Sequence, residues 1–171
     1  MPVFAALNPD DLGFRLLFLG HIMFVVGGFG ARFVNPMLAR EIERGGPAAG
    51  AAAGVLVAAA QRLSTPAIWL SGLFGIVLVA VGGFDFGDLW INLAMVLFLV
   101  AAVLATFLYL PNVRRLAALT ATLSAPVGEG EGPPPATAEI EARLKRGAMY
   151  GGILDLLFVL LLIDMIWKPG L

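Results

Sequence analysis

Four long apolar segments alternate with polar connections along the chain. They cover residues 14–34, 66–84, 90–110 and 148–167, and none contains more than two Asp, Glu, Lys or Arg side chains. About 20 such residues in a helix cross the roughly 30 Å of hydrocarbon in a bilayer. Apolar and polar positions do not alternate in the way that β-strands require. The pattern therefore predicts an all-α fold, an integral membrane four-helix bundle that makes up one transmembrane domain over residues 1–171.

Residues 47–63 contain a shorter apolar stretch, residues 48–60, that is built almost wholly of Ala, Gly, Val and Leu. Because the stretch is too short to span the hydrocarbon, it predicts a cytoplasmic or interfacial helix between spans 1 and 2. A fifth membrane segment is the alternative. Ser64 and Thr65 before Pro66 resemble an N-cap followed by a proline in the first turn. This predicts that span 2 begins afresh at Pro66.

The basic residues predict the orientation, because Lys and Arg gather on the cytoplasmic side of membrane proteins. Nine of the eleven basic residues flank the first and third connections. The short second connection, residues 85–88, has none, and the two ends of the chain offer only Arg15 and Lys168. Both termini are therefore expected to face outward. The nine basic residues are Arg32, Arg40, Arg44, Arg62, Arg114, Arg115, Arg143, Lys145 and Arg146.

The third connection contains a Pro/Gly/Glu-rich tract at residues 124–137, with little apolar surface to offset the cost of ordering. It predicts a mobile linker, most clearly over residues 128–135. Thr137 is the predicted N-cap of a following helix, and Glu139 and Glu141 suit the positive end of its dipole. That helix is expected to run without a break into the last span.

Composition narrows the class of protein further. Sixty per cent of the 171 residues are hydrophobic and 13% are charged, with a mean hydropathy of +0.92. The net charge of −1 disfavours nucleic acid as a partner, since phosphate binding needs a clustered excess of basic residues. The absence of cysteine excludes disulfides and thiol-based sites. Asp10 and Asp11 stand where a signal peptide would be basic, so span 1 is expected to be an uncleaved anchor in a chain that begins near Met1.

Polar side chains inside the spans are the candidates for chemistry, because each is costly in lipid unless it is paired, hydrated or ligated. Arg15 and Arg32 lie near the two ends of span 1. His21 lies about 10 Å from its outer end at 1.5 Å per residue. Asp155 and Asp164 lie nine residues apart on the last span, on nearly opposite faces of a helix, so they cannot form one paired-carboxylate site.

Ordinary structural roles compete with functional ones at both carboxylates. Asp164 is expected to form an outer-leaflet ion pair with Lys168 or Arg15. Asp155 is expected to face Ser71, Asn92 or a backbone carbonyl inside the bundle, or to serve a proton or solute pathway.

His21 is the only histidine, which limits every metal hypothesis. It either hydrogen-bonds a neighbouring helix or ligates a metal, with haem b as the cofactor to consider. A second axial ligand would have to be a methionine such as Met23, Met95 or Met165, or His21 of a second copy; a five-coordinate haem is the remaining route. Gly20 and Gly27 beside it are expected to allow a close helix approach and to leave room for a flat ligand.

Four short motifs resemble known membrane proteins. The opening segment at residues 19–38, with His21-Ile22 followed by Gly27-Gly28 and a Pro-x-Leu exit, is similar to the first helix of the copper-resistance D-type proteins and the related membrane protoporphyrinogen oxidase. The segments at residues 82–90, 110–115 and 167–170 look closer to an uncharacterised bacterial branch of integral membrane proteins.

In the oxidase relatives the first-span histidine is implicated in haem binding, and the resemblance implies that role for His21 alone. Those relatives also use a lysine in a later span and a tryptophan after the histidine, whereas here the third span contains no lysine and residues 24–29 contain no tryptophan. The resemblance implies a multi-pass protein of the bacterial inner membrane.

Three functions follow from these patterns. The first is a structural or accessory subunit, non-enzymatic, packed as a homo-oligomer or within a larger membrane complex. The second is a haem- or copper-handling redox protein built on His21. The third is a proton or solute pathway through Asp155, which is disfavoured because the sequence shows no inverted repeat and no broken span.

Overall fold

A computed structural model describes residues 8, 10–30, 55–56, 59–123 and 136–170, and it describes side chains at all of these except 120–123 and 136–137. Four helices account for these residues, with no strand among them, which confirms the predicted all-α four-helix fold. Each helix is long and apolar enough to cross a membrane, so the chain is a multi-pass membrane protein. Helix α1 is Leu12–Phe29, α2 is Ala59–Val81 and α4 is Ala136–Trp167. Helix α3 consists of Leu89–Val103, a π-helical segment Leu104–Tyr109 and Leu110–Leu123.

Successive helices pack antiparallel, so the bundle runs up, down, up and down. In the first pair, Gly20 of α1 faces Phe74 of α2, and Gly28 faces Ile68. Between α2 and α3, Gly72 faces Phe98 and the Phe84 ring packs on Trp90. Between α3 and α4, Asn112 faces Gly147 and Leu89 faces Gly170, so in each pair the residue numbers rise on one helix as they fall on the other. The turn at residues 82–88 and Gly170 therefore lie at one end, here named the loop end. The opposite end, which carries Arg114, Arg115, Arg143, Lys145 and Arg146, is named the basic end.

The buried core draws on all four helices. Its small members on α3 let the other helices approach closely, and the rings of Phe29 and Phe158 stack with centroids 4.8 Å apart to join α1 to α4. Close packing of this kind drives helix association in lipid, where lipid tails are as apolar as the side chains. The buried members are Phe29, Ile68, Ala101, Ala102, Ala105, Tyr109, Val113 and Leu154.

The predicted start of span 2 at Pro66 is wrong. Helix α2 already includes Ala59 and passes through Pro66 without a break, so residues 59–63 of the predicted interfacial stretch belong to α2. Ser64 and Thr65 do not act as an N-cap, because the Thr65 hydroxyl donates to the Gln61 carbonyl at 2.9 Å and the Ser64 hydroxyl donates to the Gly28 carbonyl. Proline is tolerated inside membrane helices more often than inside helices in water. Most of the 47–58 stretch, and with it the fifth-segment alternative, lies outside the described residues.

Helix α3 extends beyond the predicted exit at residue 110, because Pro111 is absorbed and does not end the helix. A proline inside a helix lacks an N–H and crowds the carbonyl four residues earlier. Here the preceding turn adopts the π-helical register, and the Leu110 N–H donates to the Ala105 carbonyl, five residues back. π-helical turns of this kind let a helix continue past a local disturbance.

Helix α4 confirms the prediction that the last span continues from a helix at its basic end. It begins at Ala136, one residue before the predicted N-cap Thr137, and runs unbroken to Trp167. The predicted linker at 124–135 lies outside the described residues. The outward orientation of both termini stays a prediction.

Candidate functional site

His21 lies half-buried between α1 and α2, with its Nδ1 atom 2.8 Å from the Ser71 carbonyl oxygen. A carbonyl oxygen only accepts, so Nδ1 carries the proton and donates, which leaves the lone pair of the neutral ring on Nε2. Gly75 makes room for the ring, since a Cβ there would lie 3.3 Å from its Cε1 atom. His21 thus joins two helices by a hydrogen bond, which is the first of the two alternatives predicted for it.

The space expected beside His21 for a flat ligand is filled by the protein. The Phe74 ring covers Gly20 so closely that a Cβ there would lie 2.6 Å from its Cε1 atom. Phe74 also packs on Phe24, with ring centroids 5.1 Å apart. The glycines beside His21 therefore serve helix packing and do not line a cleft.

A haem does not fit the described residues around His21 within one chain. The three methionines considered as second ligands, Met23, Met95 and Met165, are all exposed on the outside of the bundle. Among the residues that the structure describes, no group of three or more His, Cys, Asp or Glu side chains could hold a metal ion. The haem role that the resemblance implies for His21 stays a prediction.

Asp155 lies on the exposed surface of α4, next to the fully buried Leu154, and not inside the bundle as expected. The side chains predicted to face it are engaged elsewhere. The Ser71 hydroxyl donates to the Ile68 carbonyl at 2.7 Å. The Asn92 side-chain amide donates to the carbonyls of Phe86 and Asp88. A pathway through the interior of this bundle would not pass Asp155.

Asp164 is buried, with 3% of its surface exposed, and neither carboxyl oxygen has a hydrogen-bond partner. The predicted ion pair with Arg15 or Lys168 is wrong. The Arg15 guanidinium pairs at 2.8 Å with the exposed Asp10. Lys168 follows the end of α4 with a left-handed backbone, at a φ of 44°, and its ammonium lies over aromatic rings instead.

Lys168 lies over two aromatic rings at the loop end, a contact that sequence reasoning missed. Its Nζ atom is 5.4 Å from the centroid of Phe84 and 5.2 Å from that of Trp90, within the range of cation–π attraction. Trp90 is buried, with 5% of its surface exposed, and its Nε1 atom has no hydrogen-bond partner. Asp164, Lys168, Phe84 and Trp90 are named the loop-end cluster. The backbone N–H of Lys168 donates to the backbone carbonyl of Asp164 at 2.8 Å.

Sequence reasoning also missed the polar side chains that join the other helices. The Trp69 Nε1 atom donates to the Thr106 hydroxyl at 3.1 Å, which joins α2 to α3. The Asn112 amide donates to the Arg143 carbonyl at 2.9 Å, which joins α3 to α4. Ser64 joins α2 to the Gly28 carbonyl of α1. Arg32 lies outside the described residues.

The motifs that carry the family resemblance have structural roles in the described part of the chain. In the 82–88 turn, Gly83 takes a positive φ of 72° and the Asp85 carboxylate accepts from the Gly87 N–H at 2.8 Å. Gly170, also at positive φ, packs on Leu89 and closes the loop end. No protein-family model, curated protein or solved structure matches the chain, so the resemblance stays a prediction.

Proposed function

We propose that this protein is a non-enzymatic membrane component that acts as a structural or accessory subunit, either with further copies of itself or within a larger membrane assembly. One observation carries the proposal: polar side chains on each helix form hydrogen bonds that join it to the next helix. His21 and Ser64 join α1 to α2, Trp69 joins α2 to α3, and Asn112 joins α3 to α4.

These bonds suit a scaffold because of what they add to close packing. Interhelical hydrogen bonds in lipid average about 0.6 kcal/mol each, so they contribute less to total stability than to the register of one helix against the next. A register fixed at each successive pair presents a constant outer surface. That is the property a subunit needs in order to be recognised by its neighbours.

The outer surface supplies the area for such contacts. Large apolar side chains are exposed on every helix, among them Met23, Phe107 and Ile166. Lipid covers these side chains in an isolated bundle, and helices of other subunits replace lipid in an assembly. The lipid bilayer is thus the first partner.

Haem or copper handling at His21 ranks second. The Nδ1–H donated to the Ser71 carbonyl is the arrangement that orients a ligating histidine, with Nε2 left for a metal. A second ligand would have to come from another subunit, because the candidate methionines Met23, Met95 and Met165 are exposed on the outside of the bundle.

Native mass spectrometry tests the proposal. A tagged copy expressed at its natural level is extracted from its membrane in a mild detergent. We expect the 18.0-kDa chain to be found in a larger particle with a fixed ratio of subunits, and the purified protein to lack a visible absorbance band. A chain that is released only as a monomer from several detergents would overturn the proposal, and so would a Soret band that persists through purification.

A further inference from the structure

A groove of about 350 Å³ opens between α3 and α4 at the basic end of the bundle. Arg115 lies on its α3 side, and Arg143 and Arg146 lie on its α4 side. Tyr150 and Phe107 continue the groove toward the middle of the bundle. Three guanidinium groups and two aromatic rings thus line one opening.

The backbone of α3 shapes this groove. The π-helical segment Leu104–Tyr109 and Pro111 stand directly beside it. Asn112 fixes the floor, because it is buried and its amide donates to the Arg143 carbonyl at 2.9 Å. Gly147 permits the approach, since a Cβ there would lie 3.2 Å from the Asn112 Nδ2 atom. A π-helical turn inside an α-helix frequently marks a functional site.

The charges in the groove do not cancel. Glu139 is the acid that faces these arginines, with its Oε1 atom 2.8 Å from the Arg143 Nε atom and 3.5 Å from the Arg115 Nε atom. Among the described residues, the ion pairs at this groove set one carboxylate against three guanidinium groups, which leaves an excess of positive charge. Guanidinium groups bind phosphate oxygens through paired N–H donors, which makes a phosphate group the natural complement.

The apolar side of the groove distinguishes a lipid from a soluble anion. Phe107 is 67% exposed, and Leu108 beside it is also exposed. Eight residues separate Phe107 from Arg115, which is about 12 Å along a helix. A phospholipid whose phosphate lies at the arginines would thus place its acyl chains beside Phe107 and Leu108. A free phosphate bound at the arginines would not contact these two side chains.

We propose that this groove binds an anionic phospholipid, with its phosphate held by Arg115 and Arg146 and its acyl chains against Phe107 and Leu108. Basic pockets between transmembrane helices bind acidic lipid headgroups by the same chemistry. The site is independent of any partner subunit and is present in the isolated chain.

The experiment measures lipid retained by the full chain. Purified protein in mild detergent is mixed with phosphatidylglycerol or phosphatidylcholine, and bound lipid is counted by native mass spectrometry. We expect phosphatidylglycerol to be retained in preference to phosphatidylcholine. The double variant R115Q/R146Q should retain it roughly tenfold less well.

The neighbouring basic residues supply a matched control. R114Q/K145Q removes the same charge from the same two helices, and neither residue lines the groove. This control should keep its lipid. Equal losses in the two double variants would overturn the proposal, because they would show general attraction to a basic surface.

A second arm distinguishes lipid from free phosphate. Replacing Phe107 with Ser should weaken phosphatidylglycerol retention, since the acyl chains lose their apolar contact. Inorganic phosphate added in excess should displace little lipid. Complete displacement by inorganic phosphate, with no effect of the Phe107→Ser change, would show a simple anion site and refute the lipid proposal. Circular dichroism checks that each variant is folded.

Discussion

Gly28 and Gly27 of α1 offer a matched test of the helix packing, because they are adjacent and meet α2 differently. A Cβ at Gly28 would lie 2.8 Å from the Ile68 Cγ1 atom and 3.0 Å from the Ile68 backbone nitrogen. A Cβ at Gly27 would lie 3.7 Å from the Ala67 Cβ atom, an ordinary contact. Gly28→Ala should therefore force α1 and α2 apart, and Gly27→Ala should not.

The magnitudes separate the two variants clearly. Replacing a helical glycine with alanine favours the helix by about 0.8–1.0 kcal/mol, and this gain is common to both. Overpacking destabilises a protein by about 1–3 kcal/mol, and this cost applies only to Gly28→Ala. That variant also strains the Ser64 bond to the Gly28 carbonyl, and such bonds average about 0.6 kcal/mol. We expect Gly28→Ala to be less stable than Gly27→Ala by about 2–3 kcal/mol.

The assay is unfolding in mixed micelles with increasing dodecyl sulfate, followed by near-ultraviolet circular dichroism, which reports tertiary packing while helices persist. Ser64→Ala isolates the hydrogen bond and should cost only about 0.6 kcal/mol. Equal stability of Gly28→Ala and Gly27→Ala would refute the close approach of α1 and α2 at Ile68.

Three further predictions concern His21, Asp164 and the topology. His21→Gln should lower the free energy of unfolding by only about 0.6 kcal/mol; a visible absorbance band that is present in the wild type and lost in the variant would instead establish a haem ligand. Asp164→Leu should raise the melting temperature in detergent, because it removes a buried polar group without a partner, which costs about 1–3 kcal/mol, and a lower melting temperature would reveal a partner for the carboxylate. Single cysteines at Asp85 and Lys145 should react with an impermeant reagent from opposite sides of the membrane, and labelling of both from one side would contradict the four-helix topology.

The helices could be predicted wherever the sequence alone decides them. Helix α4 was predicted to be continuous because residues 139–150 contain good helix formers and no proline. The start of α2 was mispredicted, since Ser64 and Thr65 before Pro66 are typical of a helix start in water. In a membrane, the need to satisfy every backbone group favours an unbroken helix at both prolines, and a π-helical turn accommodates Pro111.

The polar contacts were predictable in kind but not in partner. A neighbouring helix was foreseen as a hydrogen-bond partner for His21, but its choice of the Ser71 carbonyl depends on the small side of α2 at Gly75. The pairing of Asp164 with Lys168 assumed that the helix continues to Lys168. Lys168 instead has a left-handed backbone, and its ammonium lies over Phe84 and Trp90. The helical periodicity of α4 could not predict this contact, because Lys168 lies beyond the end of the helix.

The two ends of the bundle differ in how well their buried polar groups are satisfied. Toward the basic end, Ser64 and Asn112 are buried and bonded to a neighbouring helix, and one buried atom, the Gln61 Nε2, has no partner. At the loop end, the Asp164 carboxyl oxygens and the Trp90 Nε1 atom are buried without a partner. Regions that open most readily are those with the least favourable local interactions, so the loop end should open before the basic end. A subunit that supplied a donor to Asp164 and an acceptor to Trp90 would remove this cost on binding. If the protein is an accessory component, the loop end is therefore where association gains the most.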